Sequence, residues 1–592
     1  MKRMHDMPFG AALQADGSVR FALWAPEQEA VVLELAGVGE FAMEVDEAGW
    51  HRHVLDRGAL TPLRYRFRFA GGLAAPDPAS RSNPDDVHGH SAVVDPKAHD
   101  WRDDEWRGRP WHEAVVYELH LGTFTPEGTF AAAAGHLPEL ASLGVTAVEL
   151  MPVADFPGRR SWGYDGVLPF APDAAYGTPE DLKRLVETAH GLGLMVLLDV
   201  VYNHFGPDGN YLHAYCPSFF DSRQPTPWGA GIAFSNRTVR DFFVHNALYW
   251  IEEYHLDGLR LDAVHAMRDD SPEHIATEIA QALREGPGRA RHVHLVLEND
   301  ANQASLLGPG RATAQWNDDL HHAAHVIASG ESDGYYADYA DEPLQRLGRA
   351  LAQGFAYQGD ASAFRGGERR GQPSSHLPPT AFVSSLQTHD QVGNRAFGDR
   401  LGRLADAPVL DALYACLLLS PHVPMLFMGE EFDASTPFLF FCDFEAELAA
   451  AVTRGRREEF ARFAAFSSPE ARERIPDPNA AATFEASKLR WDEAGAGRHA
   501  QRRALVRELL ALRHRHLVPR LDGALQGGRF DAAGPVLRVE WTLADGARWH
   551  LLAHFGDEPV AVQAPPPGQT IHRLGFDGST ARRGASWVTL DV

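Results

Sequence analysis

The chain has 592 residues, 44% of them hydrophobic, and a formal charge of −25 at pH 7. A surface that acidic repels phosphate backbones and anionic lipid, which excludes nucleic acid and membrane surfaces as expected partners. No apolar run reaches the ~18 residues of a bilayer span, the N-terminal segment has no apolar stretch of secretory type, and three scattered cysteines (Cys216, Cys416, Cys442) cannot form a disulfide framework, so a cytoplasmic protein is expected.

Residues 1–100 read as a small antiparallel β-sandwich. In Leu63-Arg64-Tyr65-Arg66-Phe67-Arg68-Phe69 apolar and basic side chains alternate without a break. A strand sends successive side chains to opposite faces, so this segment is half buried. Phe21 and Leu23, then Val31, Leu33 and Leu35, repeat the period. Residues 74–96, rich in Pro, Asp, Ser and His, read as a surface connection.

Over residues 101–520 apolar runs of strand length alternate with helical patterns. The runs are Ala114–His120, Val145–Val153, Leu194–Val200, Leu259–Asp262, His294–Glu298, Ala312–Trp316, Ala381–Leu386 and Val423–Met428. Between them, Arg237–Tyr254 places Val239, Phe243, Ala247, Trp250 and Tyr254 on one helical face. Thr178–Leu192 carries Pro179, Glu180 and Asp181 in its first turn, as helix starts do. Apolar strands alternating with helices mean a parallel sheet covered on its faces, and eight of them predict a (β/α)₈ barrel. A doubly wound open sheet is the rival, but no G-x-G-x-x-G follows the first strand. A further helix is expected over residues 500–517. From 521 to 592 strict alternation returns in Leu537, Val539, Trp541 and Leu543, which predicts a small all-β domain.

In such barrels the active site lies at the C-terminal ends of the strands. The third run ends in Asp199-Val-Val-Tyr-Asn203-His204, the fourth in Arg260-Leu-Asp262-Ala-Val-His265, the fifth in Glu298-Asn299-Asp300, and the seventh in His389-Asp390-Gln391-Val-Gly-Asn394. Three carboxylates, Asp262, Glu298 and Asp390, therefore reach one mouth from different strands. That set suits glycosidic bond cleavage, in which one carboxylate traps the anomeric carbon and one carboxylic acid protonates the leaving oxygen. Arg260, two residues before Asp262, projects to the same side and favours its ionised form. Neighbouring carboxylates and a partly dry pocket favour the protonated form of Glu298.

These strand-end segments resemble, in the same order, the short motifs of the α-amylase superfamily (glycoside hydrolase family 13), over roughly residues 110–520. Phe21-Ala-Leu-Trp24-Ala-Pro26 resembles the N-terminal module of isoamylases and branching enzymes. The resemblance implies retaining chemistry on α-glucans, with Asp262 as nucleophile, Glu298 as general acid/base and Asp390 as transition-state stabiliser. It also implies an aromatic platform at Tyr164, in Trp162-Gly-Tyr-Asp165, and sugar contacts from His204, Arg260 and His389.

More particular segments narrow this. Leu297–Asp300, Gln315–His322, Gly334-Tyr335-Tyr336 and Gln387–Arg395 resemble the trehalose-releasing branch of the superfamily, which implies maltooligosyltrehalose and related α-glucans as ligands. Reading a non-reducing disaccharide takes polar groups, because unpaired buried donors discriminate strongly. His265, Asp318, Asp319, His321, His322, Gln391 and Asn394 are expected to line the mouth and read the trehalose unit. Trp228, in the loop after the third run, is a candidate stacking platform. No cofactor is expected, and no metal: many amylases hold calcium near the position of Asn203, but no oxygen-rich loop of EF-hand type is present. The alternatives are an amylase, debranching or branching enzyme of the same superfamily, and a noncatalytic glucan-binding protein.

Overall fold

The computed structural model describes residues 2–56, 63–226, 229–462, 466–523, 525–565 and 568–592. At the N-terminus one sheet runs Gly10–Leu13, Val19–Trp24, Trp50–Leu55, Glu44–Val45. A second sheet holds Gly39–Ala42, Val32–Leu35 and Arg64–Arg68, with Ala74–Ala75 and Ser91–Ala92 both against Arg64–Arg68. The alternation predicted for 63–69 holds: Tyr65 and Phe67 are buried, while Arg66 and Arg68 lie outside and share Glu34 at 2.9 and 3.1 Å. Phe21 meets Tyr65 edge-on at 4.9 Å between ring centroids, which locks one sheet against the other.

Eight parallel strands then close a barrel: β1 Val116–Leu119, β2 Ala147–Leu150, β3 Met195–Val200, β4 Gly258–Leu261, β5 His294–Leu297, β6 Ala314–Trp316, β7 Phe382–Ser385 and β8 Val423–Phe427. Seven of the predicted runs contain one of them, and the fourth, Leu259–Asp262, overlaps β4 but misses its first residue, Gly258. Closure is decided by β8 pairing back on β1, Val116 opposite Met425, which removes the open-sheet rival. Val116, Ala147, Leu197, Val296, Ala314, Val383 and Val423 fill the barrel interior, each large aliphatic contributing about 1.5–3 kcal/mol by leaving water. The helix before β3 spans Pro179–Gly191, and its start is fixed by a capping box: the Thr178 hydroxyl accepts the Asp181 N–H while Asp181 accepts the Thr178 N–H. The helix before β4 spans Arg237–Glu252 and buries the expected Val239, Phe243, Ala247 and Trp250. A helix Gly497–Leu512 follows the barrel.

The last sheet is antiparallel, in the order Arg529–Ala533, Val536–Thr542, Arg548–His554, Thr580–Asp591, Val560–Ala561, with Gln569–Asp577 also against Thr580–Asp591. It is fastened to the barrel's outer layer by two indoles: Trp549 donates to the Leu419 carbonyl (2.8 Å) and Trp541 to the Leu351 carbonyl (3.2 Å). Among the described residues no helix is long and apolar enough to cross a membrane.

Candidate active site

The inward face of the barrel turns from apolar to charged toward the strands' C-terminal ends. Asp199 on β3 and Arg260 on β4 stand opposite each other in register. Arg260 Nη1 bonds Asp199 Oδ2 (2.7 Å) and Asp262 Oδ1 (2.8 Å), and Nη2 lies 3.5 Å from Glu298 Oε2. The guanidinium, only 3% exposed, lies over the Trp316 ring at 4.1 Å, so indole and charge hold each other in a dry setting. Asn203 Nδ2 donates to Asp262 Oδ2 (2.8 Å) and to the Asp262 carbonyl (2.9 Å). Both oxygens of Asp262 are thus fixed in direction, with the charge of Arg260 beside them.

Glu298 sits one residue past β5. Its Oε2 accepts the N–H of Ala263, the residue after Asp262. Ala263 carries φ 40°, a left-handed conformation that a β-carbon makes unfavourable, and it aims that N–H at Glu298. Burial pushes the Glu298 carboxyl well up; Arg260 opposes, while Asp262, Asp318 and Asp390 add to the rise. With Oε2 held by the Ala263 N–H, Oε1 is the oxygen left for a ligand.

His389 starts the short helix His389–Gly393 after β7, capped by the Thr388 hydroxyl. Glu118 on β1 takes both the Nδ1–H and the backbone N–H of His389. Burial alone pushes this imidazole's pKa down, but Glu118 outweighs it and the net shift is upward. The Tyr164 ring stacks on His389 at 5.1 Å, and its hydroxyl donates to Asp199 Oδ2 (2.6 Å). His204 Nε2 lies 3.0 Å from the Tyr164 carbonyl and its Nδ1 against Asn203. Asp390 is exposed on the rim, where Asn394 Nδ2 donates to Oδ1 at 2.7 Å. Three carboxyls from β4, β5 and β7, a guanidinium, two histidines and an aromatic face converge on one mouth, with the Glu298 acid, its pKa pushed up by burial, sharing Arg260 with Asp262. That is the set glycoside cleavage requires.

The model for the α-amylase catalytic domain matches residues 79–247, and the model titled Domain of unknown function (DUF3459) matches 525–589. A Deinococcus radiodurans protein named malto-oligosyltrehalose trehalohydrolase is 44% identical over 503 residues, covering 85% of this chain and 82% of that one. A protein of the same name from a Rhizobium species is 40% identical over 588 residues, covering 94% of each. The chain belongs to the malto-oligosyltrehalose trehalohydrolase family. It is a glycoside hydrolase of the α-amylase superfamily. A crystal structure titled a putative alpha amylase from Salmonella typhimurium superposes with a TM-score of 0.94 at 46% identity, covering 99% of this chain and 100% of that one.

Around the mouth the expected polar residues divide. His265 is exposed on the rim and its Nδ1 accepts the Asp300 N–H (3.3 Å); Gln391 is half-buried and takes the Thr388 hydroxyl proton; Asp318 is half-buried at the start of helix Asp318–Ser329. Three expectations fail, those for Asp319, His321 and His322. Asp319 is fully buried, and its two oxygens accept from Tyr339 OH, Arg370 Nη1 (2.9 Å), Asn302 Nδ2 (2.9 Å), Ala356 N (2.7 Å) and Tyr357 N (3.0 Å), so no lone pair is left for a sugar. His321 is buried with Nδ1 on the Leu386 carbonyl (2.7 Å) and Nε2 on Tyr336 OH (3.1 Å); burial pushes its pKa down to about 3. Both brace the loop after β6. The reason is helical period: Asp318 and Asp319 differ by about 100° around the axis, so one faces the mouth and the other the interior. His322, 9% exposed, is packed between Tyr335 (4.6 Å) and Tyr339 (5.1 Å) behind the rim. Trp228 lies outside the described residues.

Glu118 and Trp316 enter the site without having been singled out for it. The signal for Glu118 was present: one carboxylate in the otherwise apolar run Ala114–Leu119. Asn203 gives its Nδ2 to Asp262 and turns its Oδ1 to His204 Nδ1. Among the described residues, Asp103, His190 and His255 have donor atoms close enough to share an ion. They lie at the opposite, N-terminal end of the barrel, and Asp103 Oδ2 is already 2.6 Å from both Nδ1 atoms.

Proposed function

We propose that this protein hydrolyses the α-1,4 bond next to the terminal trehalose of maltooligosyltrehalose, releasing trehalose and a maltooligosaccharide with retention. The observation that carries the reading is the single Arg260 guanidinium shared by Asp262 and Glu298. Two carboxyls held on one planar cation are close partners, which fits the roughly 5–5.5 Å spacing of retaining enzymes better than the wider spacing that admits a water between them.

In the first step the Asp262 carboxylate attacks the anomeric carbon, the bond to the leaving trehalose breaks, and the Glu298 Oε1 proton passes to the departing oxygen. Glu298, now anionic, next takes a proton from water. That water's oxygen bonds to the anomeric carbon and frees Asp262, and the proton gained restores the acid. Asp390, with His389 beside it, supplies acceptors and donors for the hydroxyls of the reacting sugar, and Tyr164 its hydrophobic face, while His204 holds the Tyr164 carbonyl and Asn203 in place. The kinship with enzymes named for trehalose release supports the choice of substrate, and the three buried, unpaired cysteines suit a reducing cytoplasm.

Incubation with maltooligosyltrehalose, followed by identification of the sugars and the anomer first formed, tests this. Trehalose with an α-anomeric maltooligosaccharide is expected, and Asp262→Ala should abolish both. Glucose, maltose or new branches in place of trehalose would reject the substrate reading.

A further inference from the structure

Asp318 and Asp319 are neighbours in one helical turn and live in opposite circumstances. Asp319 is saturated by five donors. Asp318 is half-buried at the mouth, and among the described residues no hydrogen bond or ion pair reaches its carboxyl. Its charged surroundings are mostly acidic: Asp300, Asp390 and Asp319 act on it, and it acts in turn on Glu298. The cation in range, Arg370, is already committed, with Nη1 on Asp319 and on Tyr339 OH (2.8 Å) and Nη2 on Asp300 (3.0 Å). Arg365 is likewise paired with Asp300.

An anion at this position would meet like charge from several directions with no donor of its own. Burial, reinforced by Asp300, raises its pKa to about 7. The helix start pulls the other way, by about 1 kcal/mol at an exposed end and up to about 2 kcal/mol at a partly buried one, against the combined push of burial and the surrounding carboxylates. Neighbouring sugar hydroxyls present a donor and an acceptor side by side. A carboxylic acid matches both with its C=O and O–H, whereas a carboxylate can only accept.

We propose that Asp318 meets the leaving-group sugar as a neutral carboxylic acid, giving one hydrogen bond and taking another. The identity of that sugar as trehalose rests on the function proposed above; the protonation state does not. A neutral acid also avoids closing a sugar over an unpaired charge, which is costly to dehydrate.

The test is the pH dependence of kcat/KM for wild type, Asp318→Asn and Asp318→Ala, on maltooligosyltrehalose and on a maltooligosaccharide in parallel. If the neutral acid is the working form, two ionisations shape the wild-type alkaline limb, those of Asp318 and Glu298. Asp318→Asn then keeps donor and acceptor but loses one ionisation: its limb becomes shallower, and its rate relative to wild type rises about 10-fold per pH unit above 7. If the anion is the working form, removing its charge eases deprotonation of Glu298, the limb moves to lower pH, and the proposal is overturned. Asp318→Ala should lower kcat/KM about 10–100-fold on maltooligosyltrehalose across the range. A second measurement needs no variant. Trehalose binding to wild type, followed calorimetrically in buffers of different ionisation heat, should take up about one proton at pH 8 and almost none at pH 6. Equal uptake at both would overturn the proposal. Should the wild type release no trehalose while the limb on maltooligosaccharide shifts as described, the substrate reading fails and the neutral Asp318 stands.

Discussion

Asn203 grips Asp262 twice with one amide nitrogen, at 2.8 Å to the carboxylate and 2.9 Å to the backbone carbonyl. The side chain and the main chain of the proposed nucleophile are thereby tied to one donor on the neighbouring loop. Asn203→Ala removes both ties and leaves the charge of Arg260 in place. We expect kcat to fall about 10–100-fold with little change in KM, because the loss is one of aim. Steady-state kinetics check this; a rise in KM alone would show that Asn203 serves binding.

Glu298→Gln keeps the shape of the acid and removes its proton. General acid catalysis contributes about 10²–10⁴-fold, so kcat should drop by that range on substrates with a poor leaving group. An activated aryl glycoside needs little protonation and should lose much less in its first step. Equal losses on both substrates would remove Glu298 from the acid role.

Glu118→Gln tests the support beneath His389. The imidazole loses the anion that offsets its burial, and its charged form becomes unfavourable. A kcat loss of about 10-fold is expected, and the activity of the variant should decline at lower pH than that of wild type, since a neutral partner lets His389 lose its proton earlier. An unchanged profile would make the pair purely structural.

Asp319→Ala should act through folding. Five donors lose their acceptor, Arg370 among them, and breaking a buried pair of this kind costs about 3–5 kcal/mol. Thermal denaturation should show a clear fall in Tm, and hydrolysis of maltooligosyltrehalose and of maltooligosaccharide should decline together. A selective loss of trehalose release would restore Asp319 to recognition.

His321 predicts a pH dependence of stability. Its pKa is about 3 when folded and near 6.5 when the chain is unfolded. The unfolded state therefore binds the extra proton, and the contribution of this group is complete above pH 6.5 and is lost as pH falls toward 3, by about 1.4 kcal/mol per unit. In His321→Gln the drop in Tm between pH 6.5 and 4 should be shallower than in wild type. A parallel drop would assign the acid sensitivity elsewhere.

Much of this was legible in the residues. Period-two alternation located the sandwich strands, and eight apolar runs located the barrel, because burial imposes those patterns directly on sequence. Asp262, Glu298 and Asp390 could be placed at one mouth because strand ends in a barrel share a rim. The side chains of a single loop were not separable in the same way. In Asp318-Asp319-Leu-His321-His322 the residue types are alike, and which of them face ligand depends on a helix start and on partners such as Tyr339, Arg370 and Ala356 that arrive from far along the chain. Glu118 was missed for a related reason: a carboxylate inside a strand says that it is buried, while its partner His389 is 271 residues away.

The five-donor node on Asp319 has a bearing on how such enzymes diversify. Segments near residues 302, 339, 356 and 370 all terminate on that one carboxylate. A graft of the β6 loop alone from a relative with different product selectivity would leave several of those groups stranded. Successful chimeras would have to transplant the quartet as a cassette, and natural drift in any one segment is constrained by the other three.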